Sequence, residues 1–252
     1  MHIDLTGKTV LVTGASRGIG RSLAEGLAGA GATVAAHCNQ SRAAAEGLAE
    51  TIGHDARAFQ ADLAEPDSCG RLFDEVVGTY ERLDVLINNA GIALKIPSDA
   101  AMDDWRQAWD LTMAVNLRAV ELLSRLAVHH FQKHDGGRII NIASRAAFRG
   151  DTPEYMTYAA SKGGVVALTR SIARGFGKAG ICAFVLAPGF VRTEMAEDAI
   201  AEYGEDHVTS DLALDRLTEP ADLTPLVVLL ASGLADHATG ATIDVNAGSY
   251  VR

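Results

Sequence analysis

Short apolar runs alternate with longer amphipathic stretches along the whole chain. Runs rich in aliphatic and β-branched residues recur at 9–13, 33–36, 57–60, 83–88, 138–142, 181–187 and 242–246, and each has the length of a buried strand. Between them, over 19–30, 42–52, 67–80, 103–133, 155–177 and 220–232, apolar positions fall three and four residues apart. That spacing predicts helices with one core-facing stripe. Strands separated by helices run parallel, because a crossover carries the chain back to its starting edge. The pattern predicts an α/β fold: a doubly wound parallel sheet of about seven strands with helices on both faces. At 252 residues the chain is the size of one domain, so 1–252 is read as a single unit. From about 194 to 218 the sequence turns acidic and weakly periodic, and a lid over about 190–218 is expected.

Ligands of such sheets bind beyond the carboxyl ends of the strands, so the residues just after each run carry the most information. After the first comes Thr13-Gly14-Ala15-Ser16-Arg17-Gly18-Ile19-Gly20. Gly14 permits the tight turn, Gly18 a close backbone approach to phosphate, and Gly20 close packing of helix on strand. The helix that opens there offers backbone N–H groups and a positive end, which fits the turn to a dinucleotide pyrophosphate. Asp62 follows the third run, Asn88-Asn89-Ala90-Gly91 the fourth, Ser144 the fifth and Pro188-Gly189 the sixth.

Tyr158 and Lys162 stand four apart in a helical segment, a spacing that sets an ammonium beside a phenol. The cation is expected to draw the phenol down from about 10 and make it a usable acid or base. Ser144 has no His or Asp in a triad-like position, so it reads as a hydrogen-bond donor rather than a nucleophile. Asn116 interrupts a long helical pattern, either as a core amide bonded to backbone or as a member of the site.

The formal charge of −10 argues against nucleic acid or an anionic membrane as partner. No run approaches the roughly 20 apolar residues of a membrane span, and Met1-His2-Ile3-Asp4 lacks signal-peptide character, so a cytoplasmic protein is expected. Three cysteines are too few and scattered for a disulfide framework, and Cys182 reads as a core residue. His130 and His134 have the spacing of a metal pair but no third ligand; an exposed helix end explains them, and no metal is expected. Trp105 and Trp109 share a helix face, which packs against the core or a subunit.

Taken together, Thr13-Gly14-x-x-x-Gly18-x-Gly20, Asn88-Asn89-Ala90-Gly91, Asn116, Ser144, Tyr158-x-x-x-Lys162 and Pro188-Gly189 resemble the short-chain dehydrogenase/reductase family along nearly the whole chain. The resemblance implies a Rossmann-type fold and a nicotinamide cofactor. It implies Tyr158 as proton donor or acceptor, Ser144 holding the substrate oxygen, Lys162 on the nicotinamide ribose, and Asn116 anchoring a water. Asp62 and Leu63 would flank the adenine, Asn89, Ala90 and Gly91 would lie along the ribose and phosphate, and Val191 and Thr193 would face the carboxamide. Two departures stand out: Ala143 precedes Ser144 where many relatives have serine, and the gap to Tyr158 is one residue longer, expected as a bulge within Arg149–Pro153. Relatives assemble as tetramers, and the small residues Ala159, Ala160, Gly163 and Gly164 would admit another backbone, so a homotetramer is expected.

By the same resemblance the activity is interconversion of a ketone and a secondary alcohol by hydride transfer. An alternative is 3-oxoacyl-carrier-protein reduction, matched by the C-terminal Gly240–Gly248 but supplied with few basic docking residues beyond Arg125, Lys133 and Arg174. A nucleotide-binding regulator without catalysis is the remaining reading, against which the intact Asn116, Ser144, Tyr158 and Lys162 stand. For the cofactor, the run His37-Cys38-Asn39-Gln40-Ser41-Arg42 after the second strand lacks the carboxylate that a free adenosine ribose asks for. Arg17 and Arg42, with Asn39 and Ser41 as neutral donors, suit a 2′-phosphate instead, and NADP(H) is expected over NAD(H).

Overall fold

The computed structural model describes residues 3–194, 196, 200, 204 and 209–251. Its strands are β1 (Thr9–Val12), β2 (Thr33–Cys38), β3 (Arg57–Gln60), β4 (Val85–Asn88), β5 (Gly137–Ile142), β6 (Ile181–Pro188) and β7 (Thr242–Val245). All pair in parallel, in the order β3-β2-β1-β4-β5-β6-β7. The order reverses between β1 and β4, which opens a crevice at their carboxyl ends. The helices are α1 (Gly18–Gly29), α2 (Arg42–Ile52), α3 (Pro66–Tyr80), α4 (Met102–Met113), α5 (Ala119–Phe131), α6 (Ala146–Arg149), α7 (Met156–Phe176) and α8 (Pro220–Ser232). None in the described residues is long and apolar enough to cross a membrane.

Alternation along each strand builds the two cores. Val10 and Val12 face one side with Leu23 and Leu27 of α1 and Leu223 and Val227 of α8. Leu11 faces the other with Leu72 and Val76 of α3 and Leu123 and Phe131 of α5. Both faces are covered, as an all-parallel sheet requires.

The structure departs from the sequence pattern in three places. β2 continues to Cys38, two residues past Ala36, because His37 and Cys38 still find partners in Phe59 and Gln60 of β3. The helix over 103–133 contains a π turn at Ala114–Arg118 between α4 and α5, and Asn116 lies within it. His130 is buried rather than exposed, because the end of α5 packs against Phe73 of α3 and the segment leading into β4; its Nε2 accepts the Leu83 N–H at 3.1 Å, and its ring stacks on His134 at 4.1 Å. The three cysteines are free and buried.

A buried polar chain ties the sheet to the helices at its centre. Asn88 Nδ2 donates to Asn141 Oδ1 at 2.8 Å and to Ser124 Oγ at 3.2 Å, and Asn141 Nδ2 donates to Thr169 Oγ1 at 2.8 Å. Asn141 is fully buried. Truncating it strands polar partners on both sides and opens a void, so Asn141→Ala is expected to lower the unfolding free energy by about 2–4 kcal/mol in urea titration. A loss within about 0.5 kcal/mol, the range of ordinary surface changes, would show that the chain contributes nothing.

Candidate active site

The glycine turn is shaped by what it must avoid. Gly14 has φ +67°, and a Cβ there would stand 3.0 Å from the Ala90 Cα. A Cβ on Gly20 would collide with the Gly14 carbonyl, and one on Gly18 would press on Thr193 Cγ2 at 3.3 Å. The twelve-residue α1 starts with no side-chain cap and no acidic residue in its first turn, so its positive end and free N–H groups face the crevice, Ser16 and Ile19 flanking Arg17 and Gly18. Those features fit a pyrophosphate.

Thr13 and Asn89 brace the turn. Thr13 Oγ1 accepts the backbone N–H groups of Asn89 and Ala90, both at 3.0 Å, and Asn89 Nδ2 donates to the carbonyls of Thr13 at 2.9 Å and Gly14 at 3.2 Å. The Asn89 amide therefore holds the turn, leaving Ala90 and Gly91 as the crevice wall. Gly91 has no room for a side chain: its Cβ would lie 3.2 Å from Lys162 Nζ and 3.3 Å from Asn116 Oδ1.

Asn116 uses the π turn to reach backbone. Its Oδ1 accepts the Ile92 N–H at 2.9 Å, and its Nδ2 donates to Ile92 O at 2.8 Å and Ser161 Oγ at 3.1 Å. A widened turn repays its lost i→i−4 bonding when it aims a side chain in this way.

Beyond β5, Ser144 accepts the Ala146 N–H at 3.1 Å, and its hydroxyl lies close enough to Tyr158 to act on the phenol. Lys162 is buried; its Nζ donates to the Ile142 carbonyl at 2.9 Å and stands 5.7 Å from the centre of the Tyr158 ring. Asn116, Ser144, Tyr158 and Lys162 thus meet at one edge of the sheet. The electrostatics correct the sequence expectation. Burial pushes the Tyr158 phenol above its ordinary value; the Ser144 hydroxyl pulls it down, and the Asp151 carboxylate pushes it further up. Lys162 does not reverse that, since its cation is turned to Ile142 O, and burial brings its own pKa down to about 8.

The residues expected near the cofactor's adenosine lie in the glycine turn after β1 and just past the ends of β2 and β3. Arg17 forms an ion pair with Glu194, and Arg42 Nε pairs with Glu46 Oε1 at 2.7 Å; all four side chains are exposed. Ser41 caps α2 by position without a side-chain bond, and the Asn39 carbonyl accepts Gln60 Nε2 at 2.7 Å. Asp62 Oδ1 accepts the Ala64 N–H at 2.9 Å, and Leu63 is buried. On the other side, the Pro188 carbonyl accepts the Arg145 N–H at 2.9 Å, Gly189 packs on Asn246, Val191 bridges to Thr218, and Thr193 lies over Gly18.

Of the expected lid, 195, 197–199, 201–203 and 205–208 lie outside the described residues. Its far end is pinned by Asp211, whose Oδ2 accepts from Arg145 at 3.2 Å and Arg149 at 3.0 Å. Arg145 is buried over the Phe190 ring, 4.8 Å from its centre. The sequence reading missed this arginine pair, whose only signal was a charged residue directly after Ser144. It also passed over His37, a polar residue at the end of an apolar strand. Gly164 closes inside the chain, where its Cβ would stand 2.7 Å from Leu117 Cδ2. Among the described residues no group of His, Cys, Asp or Glu gathers into a metal-binding cluster.

Residues 14–250 match a family model described as enoyl-(acyl carrier protein) reductase. The 3-oxoacyl-(acyl-carrier-protein) reductase FabG of Staphylococcus aureus is 38% identical over 247 residues, covering 97% of this chain and 98% of that protein. The reductase of the same name from Aquifex aeolicus is 32% identical over 254 residues, covering 99% of this chain and all of that one. The chain belongs to the short-chain dehydrogenase/reductase family. A short chain dehydrogenase from Burkholderia cenocepacia, solved in complex with NADP, matches it with a TM-score of 0.89 at 34% identity, covering 97% of this chain and 98% of the other. As a member of this family the protein is an oxidoreductase acting on CH–OH groups, and the family binds a nicotinamide cofactor.

A buried lysine held at about 8 subtracts from stability, because the unfolded chain keeps the same proton up to the ordinary value of 10.5. The penalty is full below pH 8 and fades as pH rises toward 10.5. Lys162→Met is expected to be more stable than the parent by about 1–3 kcal/mol at neutral pH, with the gap closing in alkali, as read from urea curves at each pH. A less stable variant at neutral pH would contradict the burial of a charged amine.

Proposed function

We propose that the protein is an NADP(H)-dependent oxidoreductase interconverting a ketone and a secondary alcohol, with 1–252 acting as one catalytic unit. The observation that carries this reading is the Tyr158 side chain placed between the Ser144 hydroxyl, which acts on its phenol, and a buried Lys162 ammonium 5.7 Å from its ring centre, at the same end of the sheet as the glycine turn. A nicotinamide dinucleotide supplies the hydride when bound. Gly14 to Gly20 and the end of α1 would hold its pyrophosphate, Ala90 and Gly91 its adenosine side, and Pro188, Gly189, Val191 and Thr193 its nicotinamide side.

The chain's own groups handle the substrate oxygen. Ser144 donates a hydrogen bond to the ketone oxygen and orients it, and Tyr158 delivers the proton to that oxygen. A phenol that burial keeps above its ordinary value holds its proton at neutral pH and has it to give to the ketone oxygen. Lys162 keeps a positive charge behind the phenol and stabilises the phenolate left by proton transfer. Asn116 fixes the Ile92 segment and Ser161, whose Oγ in turn donates to the Tyr158 carbonyl at 2.7 Å. In alcohol oxidation the same atoms return the proton.

Arg17 and Arg42 support the phosphorylated cofactor: their carboxylate partners are surface groups that a 2′-phosphate can displace with little cost. A second reading, 3-oxoacyl groups on an acidic carrier protein, is favoured by the FabG relatives, although Arg125, Lys133 and Arg174, all exposed, make a sparse basic dock on a chain of formal charge −10. A homotetramer rests on kinship alone.

Tyr158→Phe is expected to lower kcat by about 10²–10⁴-fold while NADPH binding, followed by fluorescence, stays close to the parent's; equal turnover would defeat the assignment. Over a panel of ketones and 3-oxoacyl thioesters, NADPH should be oxidised faster than NADH, and Arg42→Ala should narrow that preference about tenfold. A parent enzyme that prefers NADH would overturn the cofactor reading.

A further inference from the structure

His37 is a titratable group that the proposed reaction does not use, yet it touches the turn on which cofactor binding depends. It is the next-to-last residue of β2, is 1% exposed, and engages both ring nitrogens. The Gly14 N–H donates to Nδ1 at 3.1 Å, and Nε2 lies 3.0 Å from the Ala61 carbonyl. A carbonyl oxygen only accepts, so Nε2 carries the proton; Nδ1, facing an N–H, is bare. The ring is locked as one neutral tautomer. The same residue's carbonyl accepts the Ala15 N–H at 2.8 Å, so His37 grips two successive peptides of the glycine turn and anchors them to the segment after β3. Gly14 sits in the left-handed region, where only the surrounding bonds keep its peptide plane in place.

We propose that His37 is a positioning residue for dinucleotide binding: its neutral Nε2–H ring holds the Gly14 peptide, and with it the phosphate-facing turn, and protonation of Nδ1 releases it. This rests on the reading of the turn as the cofactor cradle. A proton on Nδ1 would point at the Gly14 N–H, and two donors cannot pair. Burial holds the ring's pKa down to about 4 against the pull of the Asp62 carboxylate beyond β3. Its chain neighbour Cys38 is a thiol that burial pushes up and keeps neutral, and Arg17, the cation on the turn, is exposed and paired with Glu194. The ring therefore stays neutral through ordinary pH and lets go only in acid. An apolar side chain in its place would leave two buried backbone groups without partners, whereas a side-chain amide can accept the Gly14 N–H through its oxygen.

The test compares dissociation constants by fluorescence titration for the full-length parent, His37→Leu and His37→Asn, with NADPH at about pH 7.5 and with the acid-stable NADP+ from about pH 7.5 to about pH 3.5, below the ring's value of about 4. Nitrogen-15 spectra of labelled histidine read the ring directly and should show a protonated Nε2 and a bare Nδ1 in the parent at neutral pH. His37→Leu is expected to bind NADPH about tenfold more weakly at neutral pH, with kcat at saturating cofactor within about twofold. His37→Asn should recover most of the affinity and lack the additional weakening that the parent shows near its ring value of about 4, beyond the loss common to all variants as the 2′-phosphate takes up a proton. Equal affinity for parent and His37→Leu, or parallel acid weakening in parent and His37→Asn, would overturn the proposal. A parent that binds no nicotinamide dinucleotide at any pH would overturn the reading of the turn itself, and is told apart because no variant then differs.

Discussion

The bond from the Lys162 ammonium to the Ile142 carbonyl sets where every other group at this edge of the sheet must stand. It fastens α7 to the end of β5 at one point. Tyr158, one helical turn before the lysine, is thereby brought to Ser144, two residues past Ile142. The same cation leaves no space for a side chain at Gly91, and Asn116 closes that wall from the π turn. A buried charge with a single carbonyl partner is costly. The fold carries that cost where the chemistry needs it, in line with the usual opposition of stability and activity.

Much of this was legible in the sequence because it follows from period. Seven apolar runs and the stripes between them gave the sheet, and the positions just past each run held the site. What the sequence could not convey was burial and distant pairing. The four-residue spacing of Tyr158 and Lys162 placed them side by side, but the direction of the phenol's shift depends on how far both are withdrawn from water and on where the ammonium points. Spacing alone reversed the sign. His130 was misread for the same reason: a helix end looks exposed until another element is laid over it. The π turn is invisible because one inserted residue barely disturbs a 3.6-residue stripe, although an asparagine in mid-helix was its trace. The Arg17–Glu194 pair spans 177 positions, beyond the reach of any local pattern.

On the cofactor side, hydrogen bonds within the chain do much of what side-chain contacts to a ligand are usually credited with. Asn89, Thr13 and His37 spend their polar atoms on the glycine turn rather than on open space. The turn is thus built in advance, which reduces the ordering cost when a ligand binds. The arginines are arranged differently. Each rests on a surface carboxylate, so the acidic chain, with its formal charge of −10, keeps its cationic groups screened until a stronger anion arrives.

The state of Lys162 tests this account most directly. Carbon-13 labelling at the lysine ε positions, with Lys162→Met to assign the signal, follows that one amine through a pH titration. The account predicts a midpoint near the value of about 8 that burial imposes. A midpoint at the ordinary lysine value would place the amine in water, away from Ile142, and would contradict it.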